Sequence, residues 1–150
     1  PAPAKGRALV KGDDDFGRAL GHYVAAALAK DYHSLRADRF RSGSSRMKSY
    51  EAKVAFPGVV STRIWDTGRR HYACVTLSNT APDDEANALF DAYEARLQGH
   101  LGEAWTTRES TTRHGGRIRE FHHEHVRLRL TLTRYELRSG ARATVMLFFN

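Results

Sequence analysis

Polar and apolar residues repeat with two different periods along the chain, and the first of these periods is helical. Apolar residues recur at helical spacing from about Asp14 to Arg36 and again after Pro82, where the pattern continues for about five turns. Clusters of Asp and Glu stand at the start of both segments, where carboxylates complement the positive end of a helix dipole. The pattern predicts two helices, the second of them capped by Thr80 and ended by Gly102.

Alternation of apolar and polar residues predicts strands in most of the remaining chain. The predicted strands cover residues 48–56, 60–64, 71–77, 105–113, 117–125, 126–133 and 143–149. Gly-rich or Pro-Gly turns separate several of them, as in hairpins. The order is α-β-β-β-α-β-β-β, with one further strand as an option, and it is compatible with two duplicated units. We therefore expect an α+β fold in which an antiparallel sheet of six to seven strands is covered on one face by two helices.

Length and composition indicate one folded domain. The chain has 150 residues, of which 41% are hydrophobic, so a core can form without disulfides or metal. Residues 1–12 are rich in Pro, Gly and Ala and are predicted to be a flexible leader, with the single α+β domain at 13–150. No apolar run is long enough to predict a membrane span. Because the chain begins with Pro1, we expect that an upstream tag or signal peptide was removed, which leaves cytoplasmic and exported locations open.

The charge is basic and unevenly distributed. Lys and Arg exceed Asp and Glu by seven, and the whole excess falls in residues 1–75. The densest basic patch consists of Arg36, Arg39, Arg41, Arg46 and Lys48. Such a patch is compatible with an anionic partner or with a solvated basic face.

Four further arginines form a second candidate for binding polyanions. Arg117, Arg119, Arg127 and Arg129 alternate along two successive predicted strands. If all four lie on the open face of the sheet, they form an arginine ladder that could bind a nucleic acid, with Trp65 as a stacking partner. No sequence signature of a common RNA-binding fold accompanies them.

Two histidines are candidates for binding a metal ion. His123 and His125 share a face of the predicted strand, and a His-x-His pair can bind Zn²⁺ or Cu²⁺ if other residues supply more ligands. The alternative is a polar strand whose histidines pair with neighbouring side chains. Cys74 lies in an apolar strand, which favours a buried thiol over a nucleophile.

Motifs of the common enzyme classes are missing from the sequence, including phosphate-binding glycine loops and zinc-protease helices. This favours a non-catalytic binding domain without a cofactor. The open face of the sheet is the expected binding surface, and it carries an apolar patch for a partner to cover if Trp65, Met146 and Phe148 lie on it together. We expect a protein partner or self-association. The alternatives are nucleic-acid or other polyanion binding and, third, a metal-binding protein or an enzyme.

Overall fold

The computed structural model describes residues 9–40 and 46–150, and its elements follow one another in two similar runs. The first run consists of α1 (Asp15–Ala29), β1 (Arg36–Phe40), β2 (Lys48–Ala52), β3 (Ser61–Asp66) and β4 (His71–Pro82), with a 3₁₀ turn at His33–Leu35 before β1. The second run consists of α2 (Asp83–Leu101), β5 (Thr106–Thr111), β6 (Arg117–His123), β7 (Val126–Leu137) and β8 (Gly140–Phe149). Each run is thus one helix followed by four strands.

The eight strands form one antiparallel sheet in the order β1-β2-β3-β4-β8-β7-β6-β5. Each run contributes a four-stranded meander, and the last strands of the two runs pair at the centre of the sheet. The predicted α+β class with two helices on an antiparallel sheet is confirmed. The predicted number of six to seven strands is slightly low, because β1 lies in a segment that was assigned to the end of the first helix and the loop after it.

Helix α1 ends well before Arg36 because Lys30 adopts the left-handed backbone conformation, with φ of 53°. Its N–H donates to the carbonyls of Ala26 and Ala27, which closes the last turn. Glycine or asparagine usually occupies this position, so a lysine there does not indicate the end of a helix in the sequence. The predicted helix was therefore too long.

The two helices begin differently. Asp14 caps α1, as expected from its aspartates, and its carboxylate accepts a hydrogen bond of 2.8 Å from the Gly17 N–H. The prediction that Thr80 caps α2 is wrong, because β4 continues to Pro82 and α2 begins directly at Asp83. The Thr80 N–H donates a hydrogen bond of 3.2 Å to the Thr144 hydroxyl.

The core lies between the helices and one face of the sheet. Tyr23 of α1 packs against Phe56 and Phe149, with ring centroids 5.2 and 5.1 Å away, and all three rings are buried. On the central strands the inward positions are buried and alternate with more exposed residues, as the two-residue period predicts. The sheet is buried on one face, and neither helix covers the other face.

Of the predicted leader, residues 1–8 lie outside the described residues, whereas Leu9 and Val10 pack against the core. The Trp105 indole N–H donates to the Leu9 carbonyl at 3.1 Å, and the Lys11 N–H donates to the His100 carbonyl at 2.6 Å. Within the described part of the chain, no helix has the length and apolar character needed to cross a membrane.

Candidate binding surface

The sheet face that points away from the helices, called the open face below, carries a row of three aromatic side chains. Trp65 and Tyr72 are cross-strand partners whose ring centroids lie 6.4 Å apart with an interplanar angle of 12°. The Phe148 ring lies 6.4 Å from the Tyr72 ring, and Met146 follows on the same face of β8. All four side chains are half-exposed, so the aromatic row (Trp65, Tyr72, Phe148) is accessible to a ligand.

Two of the predicted arginines flank the aromatic row. Arg129 is the cross-strand partner of Phe148, and Arg127 lies two residues earlier on β7. Together with Arg70, they line a cavity of about 430 Å³, whose lining also includes Tyr72 and Phe148. Pockets of this size are in the range of those that bind small ligands.

Arg129 is also part of a small ionic network on the open face. Its guanidinium lies 3.1 Å from the Glu120 carboxylate, which also accepts a hydrogen bond of 2.8 Å from His122. The hydrogen bond from His122, and then the charge of Arg129, hold the pKa of Glu120 below its ordinary value. Glu120 therefore offsets one of the arginines, as expected for a polar strand whose acids pair with neighbouring bases.

The other two arginines of the predicted ladder lie on the opposite face of the sheet, so that part of the prediction is wrong. The Arg117 guanidinium lies 4.2 Å above the Phe90 ring of α2 and 2.8 Å from the Asp91 carboxylate. Arg119 lies between Glu94 of α2, at 3.8 Å, and Glu109 of β5, at 3.4 Å. The physical reason is that both share a face with Phe121, which is buried in the core.

The first-half basic patch is divided in a similar way. Arg36 turns toward the helix side, where its guanidinium lies 4.1 Å from the Tyr50 ring and 3.5 Å from Asp66. Arg46 is exposed, Lys48 is half-buried, and both line a cavity of about 310 Å³ beside Asp66.

The other two residues of the first-half basic patch are Arg39 and Arg41. Arg39 is exposed on β1, where its cross-strand partner is Tyr50. Arg41 lies outside the described residues. Binding of a polyanion by the first-half patch stays a prediction.

The two histidines proposed as metal ligands have different neighbours. His123 ends β6 with its ring 5.3 Å from the Trp105 ring, whereas His125 lies in the following turn and its Nε2 is 2.9 Å from the Leu28 carbonyl oxygen. Among residues 9–40 and 46–150, no three His, Cys, Asp or Glu side chains are grouped so that they could hold a metal ion. A metal site at these histidines stays a prediction.

Cys74 is buried on the open side of β4, next to its cross-strand partners Arg63 and Phe148. Burial raises the pKa of its thiol to about 12, so the thiolate is scarce at neutral pH. His71 points to the other side of the strand, where its Nε2 lies 3.4 Å from Asp66. The arrangement lacks the contact between thiol and base that a cysteine nucleophile requires.

Arg70 and Tyr72 belong to the site but were not selected from the sequence. Tyr72 stands in a strand that is apolar on both sides, so its exposed face was not apparent. Its alternation with buried Ala73 and its pairing with Trp65 become visible only when the β3–β4 register is known. Arg70 lies in the turn between these strands, where sequence periodicity gives no information about direction.

Comparison of the chain with protein-family models, with curated proteins and with solved structures gave no significant match.

Proposed function

We propose that this chain is a non-catalytic binding domain and that its binding surface is the open face of the sheet. The observation that supports the proposal is the half-exposed aromatic row flanked by Arg127 and Arg129 on the face that neither helix covers. Aromatic residues, methionine and arginine are the types enriched in protein interfaces, and aromatic side chains with arginine often dominate binding energy.

The charge of the open face favours an acidic protein partner over a second copy of the chain. By register, strands β2–β8 place five arginines but only two glutamates on this face. The arginines are Arg63, Arg108, Arg127, Arg129 and Arg142, and the glutamates are Glu51 and Glu120. A symmetric dimer through this face would oppose the same basic residues, which is unfavourable. A partner with acidic and apolar side chains complements both the arginines and the aromatic row.

Single-stranded nucleic acid is the second candidate ligand of the same face. The specific observation is that the Trp65 and Tyr72 rings are nearly parallel, with arginines beside them. Bases stack on aromatic side chains while arginines contact the phosphates, which is how sheet surfaces bind single strands without a strict sequence.

The test uses two double variants that remove equal charge. In the first, Arg127→Ala and Arg129→Ala remove arginines from the open face; in the control, Arg113→Ala and Arg138→Ala remove exposed arginines from the β5–β6 and β7–β8 turns. A photo-crosslinking residue at position 72 identifies a partner in source cells, and binding of the purified partner is then measured for both variants. A labelled 20-nucleotide oligothymidine, followed by fluorescence anisotropy at two salt concentrations, tests the second candidate.

An acidic protein that crosslinks at position 72, and binds at least tenfold more weakly to the open-face variant than to the control, supports the proposal. If the oligonucleotide shows that difference instead, nucleic acid is the ligand; its salt slope should then fall by about 1.4 in the open-face variant, for two lost phosphate contacts. If no probe distinguishes the two variants, the open face is not the binding surface.

A further inference from the structure

A third cavity lies where the end of α1 meets the β3–β4 and β6–β7 turns. It has a volume of about 440 Å³ and is called the cationic pocket below, after its basic lining residues. These are Lys30, Arg69, Arg70, His71 and His125. Tyr32, Ala27 and Asn150 complete the lining, which includes no Asp or Glu side chain among the described residues.

Three of the basic residues that line the cationic pocket form no ion pair with another described residue. Within residues 9–40 and 46–150, Lys30, Arg69 and Arg70 form no ion pair, and only His71 contacts a carboxylate, that of Asp66 at 3.4 Å. Like charges around one cavity repel each other, and the attraction of a bound anion to each of them would offset that repulsion. The cavity is therefore suited to an anionic ligand.

A buried hydroxyl gives independent support for a polar ligand. Tyr32 lines the cationic pocket with only 4% of its surface exposed, and its hydroxyl has no hydrogen-bond partner in the described part of the chain. A buried hydroxyl without a partner costs free energy, and most such groups in native proteins are paired. A ligand oxygen that reaches this hydroxyl would supply the missing partner.

The neighbouring cavity on the open face indicates what the rest of the ligand contains. The two cavities share Arg70 and Asn150, so they meet at the end of the sheet. One is lined by cations, and the other offers the Tyr72 and Phe148 rings. Each is too large for a phosphate alone and of a size that suits a small organic ligand.

We propose that the cationic pocket binds the phosphate group of a small nucleotide whose base rests on Tyr72 and Phe148. Arg70, at the junction of the two cavities, contacts the phosphate from one side, and Lys30 and Arg69 contact it from the other. Arginine and lysine are the residue types that most often bind phosphate oxygens in proteins. The proposed role of the site is to hold a ligand.

Calorimetric titration in a low-salt buffer without phosphate tests the proposal with three probes: uridine 5′-monophosphate, ribose 5-phosphate and uridine. We expect saturable binding of the two phosphorylated compounds, tighter for the nucleotide, and none for uridine. A 20-nucleotide oligothymidine with and without a 5′-phosphate then distinguishes a free nucleotide from the phosphorylated end of a strand. If only the phosphorylated strand binds, the small-nucleotide proposal is wrong.

Two variants of the pocket are chosen so that folding is preserved. Lys30→Gly removes a charge and places glycine at a left-handed position that it prefers, so the variant should be at least as stable as the wild type. Tyr32→Phe removes the unpaired hydroxyl and keeps the ring. We expect the combination of Lys30→Gly and Arg69→Gln to weaken nucleotide binding at least tenfold, and Tyr32→Phe to weaken it several-fold.

The combination of Arg113→Gln and Arg138→Gln, in two exposed turns, removes the same charge as the double pocket variant and is the control for general loss of charge. Equal weakening in this control and in the pocket variants would show unspecific attraction and overturn the inference, as would the absence of saturable binding. Because Lys30 and Arg69 lie outside the aromatic row, the pocket variants leave the open face unchanged. The inference and the proposed function therefore fail separately.

Discussion

Replacing Arg117 by alanine should destabilise the fold rather than weaken binding. Its guanidinium covers the buried Phe90 ring at 4.2 Å, an arrangement worth about 0.5–1 kcal/mol. It also donates to the Asn87 side-chain oxygen at 3.1 Å, which adds about 0.5–1 kcal/mol. The ion pair with Asp91 adds little, because that carboxylate is 63% exposed. Arg117→Ala should therefore lower the free energy of unfolding by about 1.5 kcal/mol, which is the magnitude to be measured.

Urea denaturation followed by circular dichroism measures this loss directly. With an m-value of about 2 kcal/mol/M, a loss of about 1.5 kcal/mol lowers the midpoint by about 0.75 M at unchanged slope. Arg127→Ala is the matched comparison, because Arg127 is exposed on the open face; its midpoint should move by less than about 0.25 M. If Arg117→Ala leaves the midpoint unchanged, or if both variants shift it equally, the assignment of the two arginines to different faces and roles is refuted.

Three other predictions concern single side chains. Tyr23→Phe removes the hydroxyl that donates to the Val54 carbonyl at 2.6 Å, and should cost about 1–2 kcal/mol of stability in the same urea assay. The lowered pKa of Glu120 contributes stability that is present above the unfolded pKa of about 4.3 and is lost as the pH falls through the lower folded value. Glu120→Gln should therefore lose less stability than the wild type between pH 5 and pH 3; equal losses would contradict this. Alkylation of Cys74 by iodoacetamide at pH 8 should be at least tenfold slower in the folded than in the urea-unfolded chain, and equal rates would show that the thiol is not buried.

The period of two was sufficient to predict the strands with one buried face but not β1, one of the two edge strands. In β7, Leu128 and Leu130 alternate with arginines, and the structure buries the leucines as predicted. Strand β1, Arg36–Phe40, has the sequence Arg-Ala-Asp-Arg-Phe, which has no apolar alternation, because an edge strand with little buried surface does not require it. It was therefore missed.

The open face of the sheet could be predicted only in part. The alternation in β7 assigned Arg127 and Arg129 correctly to the face opposite the leucines. The same reasoning applied to β6 would have assigned Arg117 to the core side, because it shares that side with Phe121. The cationic pocket could not be predicted, since it depends on three connections that are distant in sequence.

The centre of the sheet has a consequence for how the chain assembles. Each run forms a meander from neighbouring segments, but Ala73 of β4 pairs with Phe149 of β8, so joining the runs closes a loop of most of the chain's second half. Closing such a loop costs roughly 4 kcal/mol of chain entropy, which local hairpins largely avoid. We therefore expect the β4–β8 seam to form last during folding.

At the β4–β8 seam, β4 pairs with the β8 of its own chain because the chain connection keeps that strand nearby. A second chain presents the same β8 in the same register, so two chains could exchange their second halves and keep every pairing across both seams. Because Pro82 and Asp83 join β4 to α2 without a loop, this junction is the hinge that such an exchange would have to straighten. The monomer is favoured by the effective concentration of its own second half, typically in the millimolar range for a short connection. We therefore expect any exchanged dimer to increase with the protein concentration during refolding.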